Sequence, residues 1–249
     1  MSPNHPLASH AYLTQCSVLD AYGHLSVRHP HDPTRFFMSR SVAPGVISSV
    51  DDLIEYYVEN AEPVNASAAK GYSERCIHSE IMKRFPGVNA VVHSHAPAVV
   101  PYTVNGVPLR AVYHMAGFLG CESPVFDASD HVLPNESHDL LIRTTRLGAC
   151  LAACFGDHDR QPDHSIALMR GHGFTAQGQS IMDAVLRSIY TQQNATIQTT
   201  ALLTHAAHFN SLTEGEAKDT AAMTMLTAER PWRMWLREVE ASSLYVNRA

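Results

Sequence analysis

Val88-Asn-Ala-Val-Val-His-Ser-His95 is an apolar, β-branched run that ends in two histidines separated by one residue. Pro86-Gly87 stands immediately before it as a turn signal, and the run has the length of a strand, so a strand is expected over Val88 to His95. Successive side chains of a strand point to opposite faces, which puts His93 and His95 on the same face. Two imidazoles on one face form a chelating pair. The apolar residues before them anchor the strand in a sheet and leave the ligands at its C-terminal end. Neutral imidazole binds zinc, iron, manganese or cobalt, and a catalytic site takes about three protein ligands with one position left open. A third ligand is needed. His172, framed by Gly171 and Gly173 after the apolar segment Ser165 to Arg170, is the best partner in the chain. Its small neighbours are expected to let a ligand or substrate approach the backbone.

Outward from this strand, Ser73 to Phe85 places Cys76, Ile77, Ile81 and Met82 on one side of an amphipathic helix that Pro86-Gly87 stops. Glu74 and His78 lie one turn apart on that helix and can face one cavity. The residues alone also allow Glu74 to be an N-terminal carboxylate favoured by the helix dipole, and His78 to be a packing histidine. Further helices are expected over Leu7 to Tyr22, ended by Gly23, over His138 to Phe155, and over Ser180 to Leu203, opened by Ser180 with Asp183 three residues on. Strands are expected over Arg35 to Ser39, Leu109 to Met115 and Ser165 to Arg170, with another strand or a turn-strand unit over Ser48 to Val58 and a polar loop from Gly156 to His164. Such alternation of strands and helices indicates an α/β sandwich.

The length of 249 residues and a hydrophobic content of 45% suffice for one domain over residues 1–249. Its core spans about 7–205, with a helical tail at 206–249. A net charge of -6 excludes the clustered basic face that nucleic acid requires. No apolar run approaches the ~20 residues that span a bilayer, and the N-terminus lacks a signal-peptide pattern, so a cytoplasmic location is expected. The five cysteines, at 16, 76, 121, 150 and 154, show no C-x-x-C spacing and read as buried free thiols. HExxH, G-x-S-x-G, GxGxxG, P-loop and deaminase signatures are absent. What remains unusual is sixteen histidines, a few of which must converge.

Four motifs in sequence, Gly23-His-Leu-Ser-Val-Arg28, Ser73-Glu74, Asn89-Ala-Val-Val-His-Ser-His-Ala96 and Arg170-Gly-His-Gly173, resemble the class II aldolase/adducin family over roughly Ala21 to Leu203. The resemblance implies an α/β three-layer sandwich with a central, mainly antiparallel sheet flanked by helices. It implies a homotetramer with active sites at subunit interfaces and a small-molecule substrate. One divalent metal ion per chain, zinc first with manganese, cobalt or iron as alternatives, would be bound by His93, His95 and His172. Glu74 would be the acid/base.

The departures from the phosphosugar aldolases are specific. Those enzymes read Gly-Asn, Thr-Gly and Ser-Ser where this chain has His24, Ser41-Val42 and Tyr72-Ser73. A bulky ring and a β-branched residue there argue against a phosphate pocket. Ser26-Val-Arg-His-Pro30, Phe37-Met-Ser-Arg-Ser41 and Tyr113-His-Met-Ala-Gly117 look more like the branch that includes dihydroxyphthalate decarboxylases. On that resemblance Arg28, Ser39, Arg40, Ser41 and Tyr113 are candidate substrate contacts, the arginines because guanidinium pairs bidentately with carboxylate. His114 falls where the aldolases carry a proton-donating tyrosine. The implied chemistry is carbon–carbon cleavage through a metal-stabilised enolate, decarboxylation of a hydroxy-aromatic or keto acid. The alternatives are aldol cleavage and, on the same fold, non-haem iron oxygenation. An adducin-like binding module is the least expected, since every ligand position is filled.

Overall fold

A computed structural model describes residues 6–157, 161–204, 209–246 and 248. The expected core–tail boundary, at 205–206, and part of the expected polar loop lie outside the described residues. The chain opens with helix α1 (Pro6–Gln15) and continues through strands β1 (His24–Arg28), β2 (Arg35–Ser39) and β3 (Leu53–Tyr57). Helix α2 (Arg75–Arg84), strand β4 (Ala90–Ser94) and the short helix α3 (Pro101–Val104) follow. Strand β5 (Val125–Phe126), helix α4 (Thr145–Ala153), strands β6 (Ile166–Met169) and β7 (Gly173–Gly178), and helices α5 (Ile181–Thr204), α6 (Glu214–Leu226) and α7 (Glu229–Ala241) complete it. The strands form one sheet in the order β3-β2-β1-β4-β7-β6-β5, antiparallel except for the β5–β6 pair. The H-x-H strand is its central member.

Strand parity divides the core into two layers. Leu25, Val92, Leu168, Phe174 and Ala176 point to one face, where Leu13 of α1, Val185 and Ile189 of α5, and Trp232 and Trp235 of α7 cover them. Phe36, Met38, Val91, Ala167 and Met169 point to the other, under Ile77 and Ile81 of α2 and Leu147 and Leu151 of α4. His93 and His95 continue the parity of Val91, so they emerge on the face that carries α2.

β1 obeys the same rule against α2, and this decides the fate of Arg28. Leu25 is on the far face, so His24, Ser26 and Arg28 face α2, where they meet Glu74, His78 and Met82 in turn. Two strand residues advance the chain by about as much as four helical ones, so the pairings stay in step. Arg28 is buried and donates to the carbonyls of Pro33 (2.6 Å), Met82 (2.8 Å) and Val88 (3.0 Å). Its guanidinium binds strand to helix and is not available to a substrate carboxylate.

Three expected elements differ from those observed. Leu109 to Met115 is not a strand, because its backbone pairs with side chains of α5. Asn194 accepts from Val112 N–H (2.9 Å) and donates to Arg110 C=O (2.7 Å), while Gln198 accepts from Arg110 N–H (3.0 Å) and donates to Pro108 C=O (2.8 Å). Two buried amides thus replace a neighbouring strand. The N-terminal helix ends at Gln15, before a turn in which Ser17 takes φ 57°, rather than continuing to Tyr22. The helix expected from His138 starts only at Thr145, where the Thr144 side chain accepts from Leu147 N–H (3.2 Å). The freed segment before it serves the site described next. Of the five free cysteines only Cys76 is buried, and Cys121 is exposed.

Candidate metal centre

Imidazole nitrogens from three places converge at the C-terminal end of β4. The Nε2 atoms of His93 and His95 are 3.0 Å apart, those of His95 and His172 3.0 Å, and those of His93 and His172 3.3 Å. Glu74 Oε2 lies 3.8 Å from the Nε2 atoms of both His93 and His172. All four ligand atoms lie within 4.8 Å of one another. Nitrogens bound at roughly 2.0–2.1 Å in a tetrahedral set are separated by about 3.3–3.4 Å, so the triangle suits a small divalent cation. A hydrogen-bond reading fits poorly, since three neutral imidazoles so close together cannot satisfy one another pairwise.

The opposite ring nitrogens show which face of each imidazole is free. His93 Nδ1 meets Thr175 Oγ1 (3.2 Å), whose hydroxyl in turn donates to Met169 sulfur (3.4 Å). His95 Nδ1 faces the Asp20 carboxylate (3.1 Å), and His172 Nδ1 faces the Leu140 carbonyl (3.1 Å). Each Nδ1 therefore donates its hydrogen outward and leaves the Nε2 lone pair directed at the common centre. Burial, reinforced by the neighbouring imidazoles, holds His93 well below the ordinary histidine range and His172 down to about 4. Unprotonated rings are the ligating form.

The local chain explains these positions. Gly171 turns the backbone with φ 64°. A Cβ on Gly173 would come within 2.0 Å of Ser94 O, so this glycine lets β7 approach the H-x-H strand. Its small size accommodates protein backbone rather than a ligand. Glu74 sits at the N-cap of α2, yet its side chain caps nothing. Oε1 accepts instead from Ile142 N–H (2.9 Å), and Oε2 is directed at the histidines. Burial pushes its carboxyl up to about 7. The 138–143 segment thus supplies both the Leu140 carbonyl and the Ile142 amide.

A cavity of about 430 Å³ opens beside this centre, lined by Tyr22, His24, Ser41, Val42, Tyr72, Ser73, Glu74, His95 and His172 among others. No lysine or arginine is among its described lining residues. Tyr72 donates to the Val42 carbonyl, and its ring lies 4.7 Å from that of His24, so it narrows the cavity where a phosphate cradle would be. Of the remaining candidates Ser41 reaches the cavity. Ser39 is buried at the end of β2, and Arg40 turns to Asp52 (2.8 Å). Tyr113 donates to Gln193 Oε1 (3.1 Å), and His114 is exposed; neither lines the cavity within one chain.

Sequence reading missed Asp20, Thr175 and the 138–143 segment, because a ligand's supporting partner carries no spacing signal of its own. Asp20 is held below the usual carboxylate range. Partial burial pushes it up, but N–H bonds from Tyr22 and Gly23 and the pairing with His95 outweigh that. Asp20→Asn is expected to weaken metal affinity roughly ten- to hundredfold, measured by competition with a fluorescent chelator. Unchanged affinity would mean that Asp20 only ties the loop before β1.

The sequence model of the class II aldolase and adducin N-terminal domain matches residues 9–199. The chain is 49% identical over 243 residues to decarboxylase tropJ of Talaromyces stipitatus, covering 93% of this chain and 91% of that protein. It is 31% identical over 122 residues to the 3,4-dihydroxyphthalate decarboxylase of Arthrobacter keyseri, covering 48% and 45% of the two chains. Among solved structures, an aldolase II superfamily protein from Pseudomonas syringae superposes with TM-score 0.73 at 18% identity, covering 96% of this chain and 92% of that one. The L-fuculose 1-phosphate aldolase of Glaciozyma antarctica gives 0.69 at 19% identity, with 94% and 86% covered.

Proposed function

Since the chain belongs to the class II aldolase and adducin family, with that family's fold, we propose that it is a metal-dependent carbon–carbon lyase that decarboxylates a non-phosphorylated hydroxy-aromatic or keto acid. One observation carries the metal dependence: three Nε2 lone pairs, each set by an outward Nδ1 bond, converge within 3.0–3.3 Å beside a buried carboxylate. Near-full-length similarity to a decarboxylase favours loss of carbon dioxide over aldol cleavage. A cavity without lysine or arginine and narrowed by Tyr72 supports a substrate without phosphate.

His93, His95 and His172 would hold the cation, zinc being the first choice for this donor set. Bound there, it supplies Lewis-acid stabilisation of negative charge on a substrate oxygen. Glu74, fixed by Ile142 N–H, holds a proton at Oε2 facing the cavity. When the substrate C–COO⁻ bond breaks, carbon dioxide departs, the electron pair remains on carbon, and the Glu74 proton is delivered to that carbon. Solvent then reprotonates Glu74. Tyr72 and Val42 exclude water from one side, and Ser41 and Ser73 offer hydroxyls to substrate oxygens. Exposed His114 belongs to this reading only through another copy of the chain, in the expected homotetramer. No helix among the described residues is long and apolar enough to cross a membrane, in keeping with a cytoplasmic enzyme on a small-molecule substrate.

The test is carbon dioxide release by zinc-, manganese- or iron-loaded protein from a panel of dihydroxybenzoic, dihydroxyphthalic and β-keto acids. Release by the loaded protein that stops after chelation and returns with metal is expected. Dioxygen consumption without carbon dioxide release would replace the lyase reading by an oxygenase one.

A further inference from the structure

A second histidine pair lies beneath the metal centre. His24 Nδ1 is 2.7 Å from His78 Nε2, and His78 Nδ1 is 2.6 Å from Ser26 Oγ. All three side chains are buried, at 1%, 0% and 0% exposure. The outer end of the chain is His24 Nε2, which has no partner, lines the cavity and lies 4.0 Å from Glu74 Oε2.

Each junction can hold one hydrogen, and the Ser26 end decides the direction. If Ser26 donates to His78 Nδ1, then His78 Nε2–H donates to His24 Nδ1, and His24 carries its hydrogen on Nε2. In the reverse direction His78 Nδ1–H donates to Ser26, and the buried serine hydroxyl is left with no acceptor among the described residues. Either direction leaves one donor over, the Ser26 hydroxyl in the reverse and His24 Nε2–H in the first, but only His24 lines the cavity, where a substrate oxygen can accept from it, and this favours the first direction. A protonated imidazole would be a donor at Nε2 as well.

We propose that Ser26 and His78 fix His24 as an Nε2–H donor that hydrogen-bonds a negatively charged substrate oxygen beside Glu74. This rests on the decarboxylase reading for the substrate's charge, but the hydrogen-bond direction stands apart from it. His24 touches substrate; His78 and Ser26 position it.

The experiment uses the full-length zinc-loaded protein with ¹⁵N-labelled histidine. Two-bond ¹H–¹⁵N correlation is expected to show His24 protonated at Nε2, with that preference lost in Ser26→Ala. A His24 ring protonated only at Nδ1 would overturn the proposal. Calorimetric binding of salicylate, which carries an adjacent hydroxyl and carboxylate, is expected to weaken on the order of 10- to 100-fold in His24→Phe. It should be largely kept in His24→Gln, whose amide nitrogen reaches the Nε2 position. Equal zinc content in the variants separates this loss from loss of the metal site. Wild-type affinity in His24→Phe would overturn the substrate contact. A chain that fails to bind zinc or release carbon dioxide would sink the decarboxylase reading, while the tautomer still decides the hydrogen-bond chain.

Discussion

His93→Ala is expected to leave a protein that retains less than a tenth of a metal ion per chain after dialysis and releases no carbon dioxide above background. His93 is the fully buried member of the triangle, with Nε2 at 3.0 Å and 3.3 Å from its two partners and Nδ1 held by Thr175. Its loss leaves two imidazoles and Glu74, whose carboxyl is held by Ile142 N–H and kept from ionising by burial, so the remaining set binds a cation far more weakly. Thermal unfolding gives a readout independent of the reaction. Metal at about 1,000 times its dissociation constant stabilises the native state by about 4 kcal/mol, which for a chain of this size raises Tm by roughly 10 °C. Wild-type protein should show that rise on adding zinc, and His93→Ala should not. A variant with full metal content would mean that the cation binds elsewhere.

The contrast between what the sequence disclosed and what it concealed follows from geometry. The H-x-H pair is legible because strand parity is a local rule, and the glycine-framed His172 because Gly171 and Gly173 punctuate an otherwise apolar stretch. Glu74 could be placed on a helix terminus, but its direction could not, since that is fixed by Ile142 N–H, 68 residues away. The 138–143 segment is expected to be helical and is instead an irregular loop with Leu140 at φ 65°. Its backbone polar groups serve His172 and Glu74, and a helix would have satisfied them internally. Arg28 failed as a substrate contact for a similar reason. Its side chain is matched in step with α2, a pairing that no residue near it in sequence announces. Motif and parity therefore located the ligands, while the groups that aim them come from long-range contacts.

Glu74→Gln separates the acid/base role from metal binding. Glutamine can keep accepting from Ile142 N–H, so the fold of the site and the His93–His95–His172 triangle should persist with wild-type metal content. The exchangeable proton at Oε2 is lost, and kcat should fall about 10²- to 10⁴-fold, the usual contribution of a general acid. Stability should move the other way. In the chelated wild-type protein burial raises the carboxyl from 4.5 to about 7, so the native state binds more protons than the unfolded chain between those values. Stability therefore falls as pH rises through that window, by up to about 3 kcal/mol for a shift of this size. Glutamine carries no such charge. Chelated Glu74→Gln should be more resistant to urea than chelated wild type at pH 8, with the advantage fading towards pH 5. Urea unfolding across that range, beside kcat for the metal-loaded forms, checks both halves. Unchanged kcat would remove Glu74 from proton transfer, and a stability advantage independent of pH would show that ionisation of the buried carboxyl is not its cause.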